Sequence, residues 1–324
     1  MLLTDGLRLS RAFVIASVVA FGFAACSTTS SSRPRSSAAP SFTRPVPSTR
    51  QRTPPTLPTT TTRAALPTTE QPGWNVVSRG RTAVAVDQRT ITSANGDQIV
   101  LVRFRRGQVR FDLHVGSTEP PGAITTPDAA PTVSGTERPL LLAVFNGGFK
   151  QSAGAGGFTV NGTVLSALRP GLESLIIDAN GAARIALWAQ QAPTPGERIQ
   201  SVRQNLAPLV FASRPSPSIG DIAAWGATLG GGAAVARSAL GQDPQGNIVY
   251  AGGMHARPAD LAQALIAVGV TDAMELDINP GYVQLALANT AGGSLSPGIP
   301  GQHRQANQYL AGWNHDFVTV IATG

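Results

Sequence analysis

A single strand-rich domain of mixed α/β type, with a mixed sheet and few helices, is predicted for residues 74–324. Three features predict it. Residues 76–86, 99–104 and 109–115 alternate apolar and polar side chains, the period of half-buried strands. The run Leu140-Leu141-Leu142-Ala143-Val144-Phe145 is continuously apolar and stops at Asn146-Gly147-Gly148, as a buried strand delivering a glycine turn does. Leu261, Leu265 and Val268 recur at helical spacing between two further apolar runs, giving a strand-helix-strand unit.

Ahead of this domain the chain reads as a leader and a tether. Arg8 and Arg11 precede the apolar run of residues 12–25 and then Cys26, the layout of a secretory signal. At about 14 residues the run is short of the roughly 20 that span a bilayer as a helix. Phe23-Ala24-Ala25-Cys26 resembles a bacterial lipobox, with Phe23 where leucine is usual. Residues 1–26 are therefore read as a lipoprotein signal peptide whose Cys26 is acylated, with plain secretion and an uncleaved anchor as the alternatives. Cys26 is the only cysteine, which excludes an internal disulfide and a cysteine metal site. Acylation also consumes a thiol that would be a liability outside the cell. Residues 27–73 are Ser, Thr, Pro and Arg with almost no large apolar side chains, too few to offset chain entropy on folding. They are read as a disordered tether, partly extended by its prolines.

The formal charge of +7 suggests nucleic acid or anionic lipid until it is divided along the chain. Residues 1–73 hold eight arginines against Asp5 and Glu70, while the other 17 basic and 16 acidic residues nearly cancel. The folded part therefore gives no electrostatic argument for nucleic acid. A basic tail suits an anionic membrane surface, and the expected location is the extracellular face of a cell membrane, held there by lipid.

Within the domain, residues 175–178 and 184–188 flank Asn180-Gly181, a hairpin signal. Pro258 suits the first turn of a helix over residues 258–268. That helix lies between Ile248-Val249-Tyr250-Ala251 and the predicted strand Ala273-Met274-Glu275-Leu276-Asp277. Functional groups gather at the carboxyl ends of strands in such crossover units.

The sequence has no G-x-S-x-G elbow, no phosphate loop, no H-E-x-x-H and no cysteine pair. What remains is a set of polar residues at strand ends. Glu275 and Asp277, two apart on a predicted strand, point to one face with Cα atoms about 6.6 Å apart. Such carboxylates serve as acid and base on a glycosidic bond, ligate Ca²⁺, or pair with an arginine. The amides of Gly147 and Gly148, after Asn146, face an anion or simply close a turn. Arg237 sits among small apolar residues and needs a partner, either a salt bridge or a phosphate. His255, one of four histidines, is a titratable group just beyond the run 248–251, in a class that is more often structural. No cofactor is expected, Ca²⁺ at Glu275 and Asp277 being the one candidate metal.

Taken in order, Asn146-Gly147-Gly148-Phe149, Gly156-Gly157-Phe158-Thr159-Val160-Asn161-Gly162, the stretch 236–246 around Arg237, Leu261-Ala262-Gln263-Ala264-Leu265 and Ala273-Met274-Glu275-Leu276-Asp277 resemble the phosphodiester glycosidase family. That family includes an uncovering enzyme that removes N-acetylglucosamine from a sugar phosphodiester. The resemblance matches Asn146, Gly147 and Gly148 to the family's N-G-G-F turn, Arg237 to the arginine of its P-R-T-A-x-G stretch, and Asp277 to the aspartate of its N-L-D-G-G-G-S-S motif. In this chain the last motif continues Ile278-Asn279-Pro280-Gly281-Tyr282, without the glycine run and both serines. Asn279 then stands as a replacement polar contact.

The resemblance implies an extracellular hydrolase of a sugar phosphodiester or related envelope glycan. Arg237 and the amides of Gly147 and Gly148 would neutralise the phosphate, with Asp277 and Glu275 acting at the anomeric carbon. The expected partners are a cell-envelope glycan and, through the lipid, the membrane. The rivals are a catalytically inactive surface module that binds glycan in the same cleft, and a metal-dependent hydrolase.

Overall fold

The computed structural model describes residues 73–80, 83–122, 130–226 and 231–323. Cys26, the leader and all of the tether except Gly73 lie outside these residues. The first half of the domain supplies β1 (Asn75–Arg79), β2 (Val84–Thr92), β3 (Gln98–Phe104), β4 (Val109–His114), β5 (Leu141–Asn146), β6 (Phe158–Val160), β7 (Thr163–Ser166), β8 (Glu173–Asp178) and β9 (Ala183–Leu187). The second half supplies β10 (Ile199–Gln204), β11 (Val210–Phe211), β12 (Arg214–Pro215), β13 (Val235–Gln242), β14 (Ile248–Ala256), helix α1 (Pro258–Ala267) and β15 (Asp272–Glu275). It closes with β16 (Leu285–Ala288), β17 (Leu295–Pro297), the short helix α2 (Gln308–Ala311) and β18 (Phe317–Ala322).

These strands form three sheets, of order β1-β2-β3-β14-β13-β15-β11-β12, β7-β6-β10-β8-β9 and β17-β16-β5-β18-β4. The fold is thus mostly β with few helices. All three sheets contribute to one core, in which Val100, Val102 and Tyr250 of the first meet Leu175 and Ile177 of the second and Phe145 and Val320 of the third. Side-chain alternation then gives the first sheet a second apolar face, where Ile99, Leu101, Val249 and Ala251 pack under Leu261, Ala262 and Leu265 of α1. Pro258 opens that helix, the Arg257 N–H donates to Asp260 Oδ2 at 2.8 Å, and Gly269 ends it with φ +88°.

Two expectations change. Among the described residues every strand ladder is antiparallel, so the mixed sheet is not formed. The unit β14-α1-β15 does cross over, but β13 lies between its two strands and runs antiparallel to both. The reason is local: Asp243 closes a tight turn by accepting the Asn247 N–H at 2.9 Å, and a connection that short pairs β13 with β14 as a hairpin, which occupies the edge a crossover strand would need. Residues 76–86, expected as one strand, instead divide into the paired strands β1 and β2. The Gly80 N–H donates to the Ala83 carbonyl at 2.8 Å at that division.

Candidate active site

β5 ends on Asn146, which is buried and fully engaged. Its Oδ1 accepts from the Tyr250 hydroxyl at 3.0 Å and the Gln284 N–H at 3.1 Å, and its Nδ2 donates to the Gly147 carbonyl and Ser238 Oγ, each at 2.9 Å. In the following turn the Gly147 N–H donates to the Asp316 carbonyl at 2.9 Å, and the Gly148 N–H to Asp316 Oδ2 at 3.3 Å. The Phe149 N–H donates to Asn205 Oδ1 at 3.0 Å. The Gly148 amide therefore faces a carboxylate of the chain itself and the Gly147 amide a backbone carbonyl, so both are used inside the protein rather than offered to a substrate phosphate. A Cβ on Gly147 would collide with the Asp316 carboxylate and lie 2.8 Å from its carbonyl oxygen, so only glycine fits there.

Asp316 is buried immediately before β18. Arg203 donates to it through Nε at 2.7 Å and Nη2 at 3.2 Å, and His315 Nδ1 lies 3.1 Å from its Oδ1. Burial opposes ionisation, but Arg203 and His315 outweigh it and hold the carboxyl down at about 2.

Arg237 and Glu275 lie on neighbouring strands and find each other in the interior. Arg237 Nη1 is 2.7 Å from Glu275 Oε1, and the guanidinium also donates to the carbonyls of Trp225 at 3.0 Å and Ala256 at 3.1 Å. Both side chains have no exposed surface, and burial raises the Glu275 carboxyl despite its arginine. This pair is the salt-bridge alternative for both residues, and neither reaches a cleft as phosphate ligand or second catalytic carboxylate.

Asp277 lies beyond the end of β15 and does not share a strand face with Glu275. Its Oδ1 accepts the Asn279 N–H and Asn279 Oδ1 accepts the Gly281 N–H, each at 2.8 Å, so two side-chain-closed turns follow each other. Pro280, with no N–H to give a ladder, keeps the strand from resuming. The loop borders a cleft of about 360 Å³ whose walls include Phe149, Lys150, Asp277, Ile278, Asn279 and Tyr282. Burial raises the Asp277 carboxyl to about 6, opposed by the charge of His315 and by the N–H groups of Asn279 and Ile278, while Asp316 adds to the rise.

Three of these groups went unread in the sequence. Lys150 is the only lysine in the chain and follows directly on the N-G-G-F turn, a signal that was available. Its Nζ stands 5.2 Å from the centre of the Tyr282 ring. The His315 ring lies 4.7 Å from the same ring, with Nε2 buried and unpartnered. Nothing local distinguishes His315 or Asp316, because Asp316 meets Arg203 and the glycine turn only through the pairing of β18 with β5. His255, by contrast, is exposed, pairs with Asp97 at 3.3 Å and is not among the cleft's lining residues.

No protein-family model and no curated protein matches the chain. Several solved structures resemble it, two of them as follows. The zebrafish N-acetylglucosamine-1-phosphodiester alpha-N-acetylglucosaminidase catalytic domain, auto-inhibited by its pro-peptide, is 15% identical with a TM-score of 0.47, the match covering 78% of this chain and 88% of that one. A hypothetical protein from Synechocystis is also 15% identical with a TM-score of 0.45, over 75% of this chain and 63% of that one. The likeness is a distant one of fold.

Among the described residues no group of three or more His, Cys, Asp or Glu is placed to hold a metal ion. Glu275 is turned to Arg237, so the Glu275 and Asp277 side chains do not form a Ca²⁺ site together. Chemically, the cleft combines one carboxyl that titrates near neutrality, one primary amine and an aromatic wall.

Proposed function

We infer that the domain hydrolyses the glycosidic bond of a sugar phosphodiester, or of a related envelope glycan, with Asp277 as the reacting carboxylate. The observation that carries this reading is a carboxyl raised to about 6 in the wall of a cleft that also holds the chain's single lysine. A carboxyl with that pKa is largely ionised at neutral pH yet basic enough to take a proton. Asp277 would accept it from a water whose oxygen bonds to the anomeric carbon. The carbon–oxygen bond to phosphate breaks, and its electron pair leaves with the phosphate. That group is only weakly basic, so no second carboxylic acid is required, in keeping with the withdrawal of Glu275 into its pair with Arg237. Lys150, rather than Arg237 or the amides of Gly147 and Gly148, would offset the phosphate charge. The ordered resemblance to phosphodiester glycosidases supports the same reaction class. A lipid anchor on Cys26 would confine the substrate to the extracellular face of the membrane and its envelope.

The test is release of free sugar from a sugar-1-phosphodiester by the purified protein and by Asp277→Asn. The variant should lose about a hundredfold or more of the rate, and equal turnover removes Asp277 from the reaction. A non-catalytic glycan-binding module is the second reading, favoured by the burial of Arg237 and the internal use of the turn amides. Glycan binding that survives Asp277→Asn, with no turnover of the phosphodiester, decides for it.

A further inference from the structure

Tyr282 is a wall of two clefts. One holds Asp277 and Lys150. The other, of about 440 Å³, is lined by Ser117, Tyr282, Arg304, Trp313 and Asn314 among others. The two therefore meet at one aromatic side chain. Along them two cations flank a pair of aromatic rings: Lys150 Nζ is 5.2 Å from the Tyr282 ring centre, the Tyr282 and Trp313 rings meet edge-on at 5.9 Å, and Arg304 Cζ is 5.3 Å from the Trp313 ring centre.

Arg304 is exposed but oriented. Its Nε donates to the Gly281 carbonyl at 3.1 Å, which fastens it to the loop that follows Asp277, and its Cζ sits over the Trp313 ring. Among the described residues no ion pair engages Lys150 or Arg304. A guanidinium held by a carbonyl and a ring, with its remaining N–H groups unpaired by any carboxylate, is suited to a phosphate or carboxylate oxygen. Trp313 is buried and backs Arg304, while the partly exposed Tyr282 gives the apolar side of a sugar ring something to lie along between the two cations. The near-neutral charge of the domain argues against a nucleic acid strand as the occupant.

We propose that the two clefts form one groove for a glycan bearing an anionic group on successive units, with one anion at Lys150 and the next at Arg304. This rests on the reading of Asp277 as the reacting group, and it narrows the substrate from an isolated sugar phosphodiester to a polymeric one. The Tyr282 side chain separates the two anion positions, and the scissile unit occupies the Asp277 side.

The experiment is calorimetric binding to the full chain of two probes, glucose 1-phosphate and a synthetic trimer of sugars joined by phosphodiesters. Wild type is compared with Arg304→Gln, which removes an exposed guanidinium, and with Lys150→Gln. The trimer should bind wild type about tenfold or more tighter than the single sugar phosphate. Arg304→Gln should abolish that advantage without changing the affinity for glucose 1-phosphate, whereas Lys150→Gln weakens both probes. Equal affinities for the two probes in wild type, or an advantage that survives Arg304→Gln, overturns the proposal. Turnover is scored separately. Tight Arg304-dependent binding of the trimer without hydrolysis upholds the groove and sinks the hydrolase reading, while hydrolysis of the trimer indifferent to Arg304 does the reverse.

Discussion

Replacing Gly147 with alanine tests the finding that the glycine turn encloses an internal carboxylate. The new methyl group would fall on Asp316, which cannot easily retreat, because Arg203 grips it at 2.7 and 3.2 Å, His315 at 3.1 Å and the Gly148 N–H at 3.3 Å. Relief requires the carboxylate to leave a fully buried ion pair. Breaking such a pair costs about 3–5 kcal/mol. For a domain of this size about 2–4 °C of melting temperature goes with each kcal/mol, so Gly147→Ala should melt about 6–20 °C lower. The assay is thermal unfolding by circular dichroism, with Gly135→Ala as the control, since a Cβ at Gly135 meets nothing within 4 Å. The control should be neutral or slightly stabilised through the entropy of the unfolded chain. A Gly147→Ala protein that melts within 2 °C of wild type would show that the turn does not clasp Asp316, and the amides of Gly147 and Gly148 would again be open to a substrate anion.

Two further predictions concern titration. Glu173 is buried with neither carboxylate oxygen hydrogen-bonded, and burial, with Asp272 nearby, raises it to about 8. A carboxyl whose folded pKa lies above its unfolded value contributes stability that is complete below about 4.5 and is lost as pH rises through about 8. Wild type should therefore lose urea resistance between pH 5 and 9, and Glu173→Gln should flatten much of that fall, leaving the share due to Glu275; parallel curves for the two proteins would refute it. His315 opposes the rise at Asp277, so His315→Gln should move the ascending limb of sugar release upward from about 6, and an unmoved limb would show that the imidazole does not act on Asp277.

Much of the fold was legible because its signals are local. The apolar run ending at Asn146 became β5, the Asn180-Gly181 turn joins β8 to β9, and the helix over 258–267 starts at its proline. Strand direction was not legible, since alternation shows which face is buried and says nothing about which neighbour a strand chooses. That is why β13 between β14 and β15 was unforeseen. In the site, Asp277 and Asn279 were found at the cleft, but the roles of Arg237, Gly147 and Gly148 were not. Each of those residues needs an oppositely charged or accepting partner, and its sequence context cannot say whether the partner is substrate or the protein's own Glu275 or Asp316.

The register of the sheets has a kinetic consequence. β3 is paired with β14 and β5 with β18, partners that lie about 150 and 170 residues apart along the chain. Pairings across such separations cannot form until long loops have closed, and all-β chains dominated by them fold slowly, in milliseconds to seconds. Asp316, which completes the glycine turn, arrives only with β18, so the cleft is among the last parts of the molecule to take shape.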